Sequence, residues 1–171
     1  MSSRSTVLLG AVQMTSGTGR ARNLSTALRL LNEAADLGAS LVGLPENFAF
    51  MGRDEDRIGG AETLEGPTVA ALREVARARR IWVVAGSIAE KVPDPGKTAN
   101  TSVLVGDDGE VVAAYRKIHL FDVQIPDGAR YAESETVVPG DRAVVASTRL
   151  GRVGLTVCYD LRFPELYRKL A

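Results

Sequence analysis

One cysteine, one histidine and no surplus of either charge: the sequence is marked first by what it has little of. The lone thiol, Cys158, cannot close an intrachain disulfide, which excludes a disulfide framework and points to a reducing compartment. Its 21 basic residues balance its 21 acidic ones, so electrostatics makes no case for nucleic acid or an anionic membrane as partner. The apolar stretch in MSSRSTVLLGAVQM is too short and too poorly flanked for a secretory signal or a membrane span. Myristoylation and prenylation patterns are also lacking. No internal repeat, low-complexity tract or linker divides the chain. What remains is a cytoplasmic globular protein, with 45% hydrophobic and 25% charged residues, and 1–171 reads as a single domain.

Against those absences, the order of elements is informative. STVLLGAVQM (5–14) is apolar on both faces, as expected of a strand covered on both sides. The glycines of GTGRARN lack dinucleotide spacing and read as turn residues. NLSTALRLLNEAADLGA (23–39) has helical spacing, with Leu24, Leu28, Leu31 and Ala35 on one face and Gly38 placed to stop it. SLVGLPE (40–46) is a short strand halted by Pro45. Residues 48–66 read as a loop with at most a short helix, and Pro67 opens a second helix. IWVVAGSIAEK (81–91) is a third strand, and TSVLVGDDGEVVAAYRK a hairpin turning at Asp-Asp-Gly. IHLFDVQIPDGARYAESETVVPGD has no pattern and reads as a long loop, of the kind that is usually functional or disordered. AVVASTRLGRVGLTVC supplies another hairpin-like pair. Strands alternating with helices, then hairpins, indicate an α/β protein with a mixed sheet.

In open α/β sheets, chemistry gathers outside the carboxyl ends of strands. Glu46, Lys117 and Cys158 each follow such a strand. Together they form a working set. A thiol is mostly protonated near neutrality and needs a base or a positive neighbour. Glu46 can take the proton if burial tunes it, and Lys117 can hold a thiolate and then an oxyanion. A strand–turn–helix junction at Cys158 would expose the nucleophile and offer the Tyr159 backbone N–H as a second oxyanion donor.

Each residue also has an ordinary reading. A free cysteine is often a small buried hydrophobe. Glu46 could cap a helix beginning near Asn47, and Lys117 could be a solvated surface residue. His119, the only histidine, offers a rival thiol–imidazole pair with Cys158; alternation puts it on the face of Lys117 if the strand runs on. Arg73, Arg77, Arg79 and Arg80 read as an exposed helix face.

LPENFAF around Glu46, YRKIHLFD around Lys117 and CYDLRFPELYR around Cys158 resemble the three signature blocks of the nitrilase superfamily of carbon–nitrogen hydrolases. IPDGARYAESETVVPG resembles the branch that contains deaminated glutathione amidase and ω-amidase. The resemblance implies a four-layer αββα sandwich. It also implies Glu46 as general base and acid, Lys117 as oxyanion stabiliser and Cys158 as nucleophile, with Glu133 orienting the lysine and substrate. The implied reaction is hydrolysis of a small amide, the ω-amide of a dicarboxylic or α-keto acid, through a cysteinyl thioester. Neither metal nor organic cofactor is implied, and dimerisation is expected from the resemblance alone. Arg130 and Arg162 are available to a substrate carboxylate, with structural ion pairs as the competing reading. His119 becomes a supporting residue.

Family members continue well past the cysteine block, whereas this chain ends at Ala171 without a helix stop. The expectation is therefore a sandwich incomplete at its C-terminal end. A catalytically silent fragment that acts as a pairing module is the alternative function.

Overall fold

The computed structural model describes residues 6–126 and 128–171. Along the chain come β1 (Leu9–Ala11), α1 (Arg20–Asp36), β2 (Leu41–Gly43), α2 (Asp54–Gly59) and α3 (Pro67–Arg79). The long strands follow: β3 (Trp82–Lys91), β4 (Thr98–Val105) and β5 (Val111–Arg116). Then come β6 (Asp122–Gln124), β7 (Arg130–Ala132), β8 (Val137–Val138), β9 (Val144–Thr148), β10 (Gly151–Leu155) and α4 (Pro164–Leu170). Single 3-10 turns cover Glu133–Glu135 and Cys158–Arg162.

The main sheet has the order β1-β2-β3-β4-β5, with β8 added to β4. β1, β2 and β3 run parallel, β4 and β5 are antiparallel to their neighbours, and β8 runs parallel to β4. The carboxyl ends of β1, β2, β3 and β5 therefore share one side of the sheet with the start of β4. That side is where side chains leaving several strands can meet.

Period-two alternation sends neighbouring residues to opposite faces. Val83, Val103 and Val105 join Val42, Leu31, Val69, Leu72 and Phe48 in a core between the sheet and helices α1 and α3. Trp82, Leu104 and Tyr115 face the other way and meet Ala146, Leu155, Val157 and Leu166 from β9, β10 and the segment beyond. The layers are thus a helix pair, the main sheet, and the β9–β10 sheet with α4. Each fully buried aliphatic or aromatic side chain contributes about 1.5–3 kcal/mol. Phe48 has no exposed surface, and Phe48→Ala removes about 3–5 kcal/mol.

The helices end for local reasons. Gly38 takes φ +89 while its N–H bonds Ala35 and that of Ala39 bonds Ala34, a Schellman closure of α1. Pro67 occupies the start of α3, where its missing N–H costs nothing.

Several elements depart from the sequence reading. The first strand is short, lies at the edge of the sheet and, by its exposed side chains, is not covered on both sides. Leu8 is 50% and Leu9 65% exposed, and Ser5 lies outside the described residues. α1 begins at Arg20, and its buried residues are Asn23, Ala27 and Leu31; Leu24, Leu28 and Ala35 pack around them only partly buried. No helix starts at Asn47. That residue is left-handed (φ 54), and its N–H bonds the Ser87 hydroxyl, so Glu46 caps nothing. The expected long loop holds the β6–β7 hairpin, a 3-10 turn and β8. Strands of two or three residues carry no readable period, and the β8 partner is remote in sequence. The arginine face of α3 does lie at the surface, with Arg73 and Arg77 paired to Glu110, Arg79 to Asp36, and Arg80 just past the helix as its left-handed cap.

Candidate active site

Glu46 reaches the site because β2 stops at Gly43 and the chain passes under β3. There Gly86 sits so close to Leu44 and Pro45 that a Cβ would collide with their backbone. The β3 ladder is irregular between Ala85 and Ile88, which lets Ser87 hold the Asn47 amide. This close approach fixes the exit of Glu46 from the strand.

Lys117 follows β5 directly, and its backbone N–H donates to Asn100 at 2.8 Å, continuing the ladder. Its side chain is only 2% exposed. The ammonium donates to Glu46 Oε1 at 3.0 Å and to Glu133 Oε2 at 2.9 Å. Burial pulls the Lys117 pKa down, but hydrogen bonds and charge from Glu133 and Glu46 outweigh it, so the net shift is upward. The solvated-surface reading of this lysine is thereby set aside.

Glu133 is brought in by the segment read as loop. Its Oε2 also accepts the Phe121 N–H at 2.7 Å. The β6–β7 hairpin and the 3-10 turn at Glu133–Glu135 deliver it, and β8 ties the turn to the start of β4. Asn100, in β4, donates from Nδ2 to Glu46 Oε1 at 2.8 Å and to Glu133 Oε1 at 3.2 Å. Two carboxylates thus share one lysine and one amide.

Cys158 stands three residues past β10 and begins a 3-10 turn with φ 47, left-handed for a residue that carries a side chain. Such a backbone persists only where its surroundings over-determine it. The residue is solvent-exposed, which removes the buried-filler reading. Desolvation at the cavity floor and the Glu46 carboxylate push the thiol above its ordinary pKa, while Lys117 opposes them.

Glu46, Lys117, Glu133 and Cys158 line one cavity of about 600 Å³, together with Phe50, Met51, Arg57, Phe121, Arg130 and Tyr131. Aromatic contacts run from its wall to the turn that carries Cys158: Phe121 meets Tyr131 at 5.3 Å and Tyr159 at 5.0 Å. Among the described residues, no cluster of three or more His, Cys, Asp or Glu is placed to hold a metal ion. No helix there is long and apolar enough to cross a membrane.

Of the other sequence candidates, Tyr159 follows Cys158 inside the 3-10 turn. Arg130 is on the cavity rim, largely exposed and ion-paired to Glu135 at 2.8 Å. Arg162 does not line the cavity. In a 3-10 turn residues three apart align, so Leu161, not Arg162, is in register with Cys158. His119 does not pair with the thiol. β5 ends at Arg116, before alternation could carry His119 to the lysine face, and its ring contacts Asp160 and stacks on Phe163 at 3.7 Å.

Sequence reasoning missed Asn100 and Arg57. Arg57 donates to Thr136 at 2.6 Å and to Asp54 at 2.7 Å, and its Nε is buried without a partner. Neither residue had a flanking motif. The pairing of β4 with strands remote in sequence sets Asn100 behind the two carboxylates, and the packing of α2 against Thr136 brings Arg57 to the cavity.

Comparison with known proteins locates this geometry. A family model described as Carbon-nitrogen hydrolase matches residues 8–171. A "Deaminated glutathione amidase" from Synechocystis is 42% identical over 167 residues, covering 96% of this chain and 61% of that protein. An omega-amidase from Xenopus tropicalis is 40% identical over 158 residues, covering 92% of this chain and 56% of that protein. The crystal structure of Saccharomyces cerevisiae Nit3, titled a member of branch 10 of the nitrilase superfamily, superposes with TM-score 0.81 at 30% identity. It covers 96% of this chain and 61% of that one. The chain therefore spans about 56–61% of the length of each of these relatives.

Proposed function

Because the chain belongs to the carbon–nitrogen hydrolase family of the nitrilase superfamily, we propose that it is an amidase. It would hydrolyse the ω-amide of a small dicarboxylic or α-keto acid through a cysteinyl thioester. The observation that carries this reading is the buried Lys117 ammonium held between Glu46 and Glu133 on the cavity that Cys158 also lines. The unit proposed is the whole of 1–171, read as one hydrolase domain.

In the proposed reaction the Cys158 thiol attacks the amide carbonyl carbon while Glu46 accepts the thiol proton. Lys117 and the Tyr159 backbone N–H stabilise the tetrahedral oxyanion. Glu46 returns the proton to the amide nitrogen, the C–N bond breaks, and ammonia leaves a thioester on Cys158. Glu46 then deprotonates a water that attacks the thioester, and the thiol is restored as the carboxylic acid departs. Glu133 and Asn100 keep the lysine pointed at the oxyanion. Arg57 and Arg130, both on the cavity and paired there with Asp54 and Glu135, are the guanidinium groups within reach of an acidic substrate. Arg162 has no part in it.

The proposal extends to a homodimer in the cytoplasm. The compartment suits an exposed free thiol, and size-exclusion chromatography with light scattering tests the dimer.

The deciding experiment is ammonia release from deaminated glutathione and from α-ketoglutaramate, measured beside Cys158→Ala. Turnover confined to the parent chain supports the amidase. Equal background from both proteins would overturn it in favour of the silent pairing module.

A further inference from the structure

One carboxylate next to the site is fully buried and has no part in the chemistry above. Asp160, two residues after Cys158, has no exposed surface. Among the described residues it has no lysine or arginine partner, and its charge is met by hydrogen bonds. Oδ2 accepts the Val157 N–H at 2.9 Å and the Tyr115 hydroxyl at 2.7 Å. Oδ1 accepts the His119 N–H at 3.1 Å and contacts His119 Nδ1 at 2.7 Å. The Tyr115 hydroxyl in turn accepts the Ile118 N–H at 3.2 Å.

The placement of these partners is specific. Val157 immediately precedes Cys158. Tyr115 precedes Lys117 by two residues, and Ile118 and His119 follow it. A single carboxylate therefore grips the turn that carries the thiol and both flanks of the lysine. We propose that Asp160 is a positioning residue that holds the strained Cys158 turn in register with Lys117 and its carboxylates. The inference rests on the reading of Cys158 as nucleophile.

A carboxylate is required here, and the hydrogen bonds say why. Each oxygen accepts a backbone N–H, Val157 on one and His119 on the other. An asparagine would turn its NH₂ toward one of those donors and leave a buried N–H unsatisfied. The left-handed backbone of Cys158 needs such bracing, since nothing in its own chemistry favours φ 47. The His119–Phe163 stack closes the far side of the same network.

The test reads the thiol's surroundings and needs no substrate. The pH profile of Cys158 alkylation by iodoacetamide, followed by intact mass, reports how close Glu46 and Lys117 stand to the sulfur. In the parent chain Glu46→Gln moves this profile to lower pH, because a carboxylate that disfavours the thiolate is gone. In an Asp160→Asn or Tyr115→Phe background the same Glu46→Gln change should move it less than half as far. A purely structural Asp160 lowers the thermal midpoint but leaves the shift intact in the folded protein, and that outcome overturns the proposal. If Asp160→Asn does not fold, Tyr115→Phe decides, since it cuts the hydroxyl link between Asp160 and the Ile118 flank of the lysine while Asp160 keeps the Val157 and His119 N–H groups. Failure of the amidase reading would show separately, as absent ammonia release from the parent. For the folded Asp160→Asn chain, ammonia release should fall by about tenfold or more in kcat with KM little changed.

Discussion

Lys117 donates to Glu133 at 2.9 Å across sixteen residues of sequence, its own side chain 2% exposed and that of the glutamate 15%. At that burial the pair is not a surface ornament. Removing one member of a buried pair costs more than the pair contributes, because a charge is left stranded.

Glu133→Ala should therefore lower stability by about 3 kcal/mol, toward the low end for broken buried pairs because Glu46 still partners the lysine. Urea unfolding measures this. Ammonia release by the folded protein should fall by about 10²-fold, the scale for a lost oxyanion-stabilising contact. A change in unfolding free energy no larger than that of an exposed ion pair would remove Glu133 from the structural account.

The alkaline limb of stability is set by the same lysine. Its folded pKa is raised above the ordinary value, so its contribution is complete below about 10.4 and fades as pH climbs through the folded value. The urea midpoint of the parent should hold to about pH 10 and then drop more steeply than that of Lys117→Met. Parallel curves above that pH would contradict the direction of the shift.

Cys158 keeps a left-handed backbone, which costs a residue with a Cβ about 1–2 kcal/mol. Glycine removes that strain but adds about 0.5–1 kcal/mol of unfolded-state freedom. Cys158→Gly should thus be more stable than Cys158→Ala by roughly 0.5–1 kcal/mol, while both lose ammonia release. Thermal melts of the two variants compare them directly. If alanine proves the more stable, the turn is not strained as described.

These outcomes bear on how far the residues alone could be read. Glu46, Lys117 and Cys158 were legible because each directly follows or closely trails a strand whose apolar run announces it. Glu133 entered only through family resemblance, since β6, β7 and β8 are too short to carry a period. Asn100 sits inside β4, whose eight residues are all buried, and in sequence it looks like one more core position. Arg57 looked like one charge among several in DEDRIGG. Arg162 misled for the opposite reason: closeness in sequence to the thiol suggested closeness to the substrate, and the narrow pitch of a 3-10 turn took it elsewhere. The edge position of β1 was also invisible, because the hydrophobicity of a run does not say which neighbours it will have.

The two-residue strand β8 has a consequence out of proportion to its length. Only the pairs Thr98–Val137 and Ala99–Val138 join it to β4, at the foot of the turn that presents Glu133. A ladder that small can open while the six-residue β5 and the helix-backed core stay closed. For the proposed amidase, competence and foldedness are thus separate thresholds: on warming, the lysine would lose its second carboxylate by fraying before the sheet melts. Heat inactivation would begin as a local, reversible event, healed on cooling without refolding of the chain.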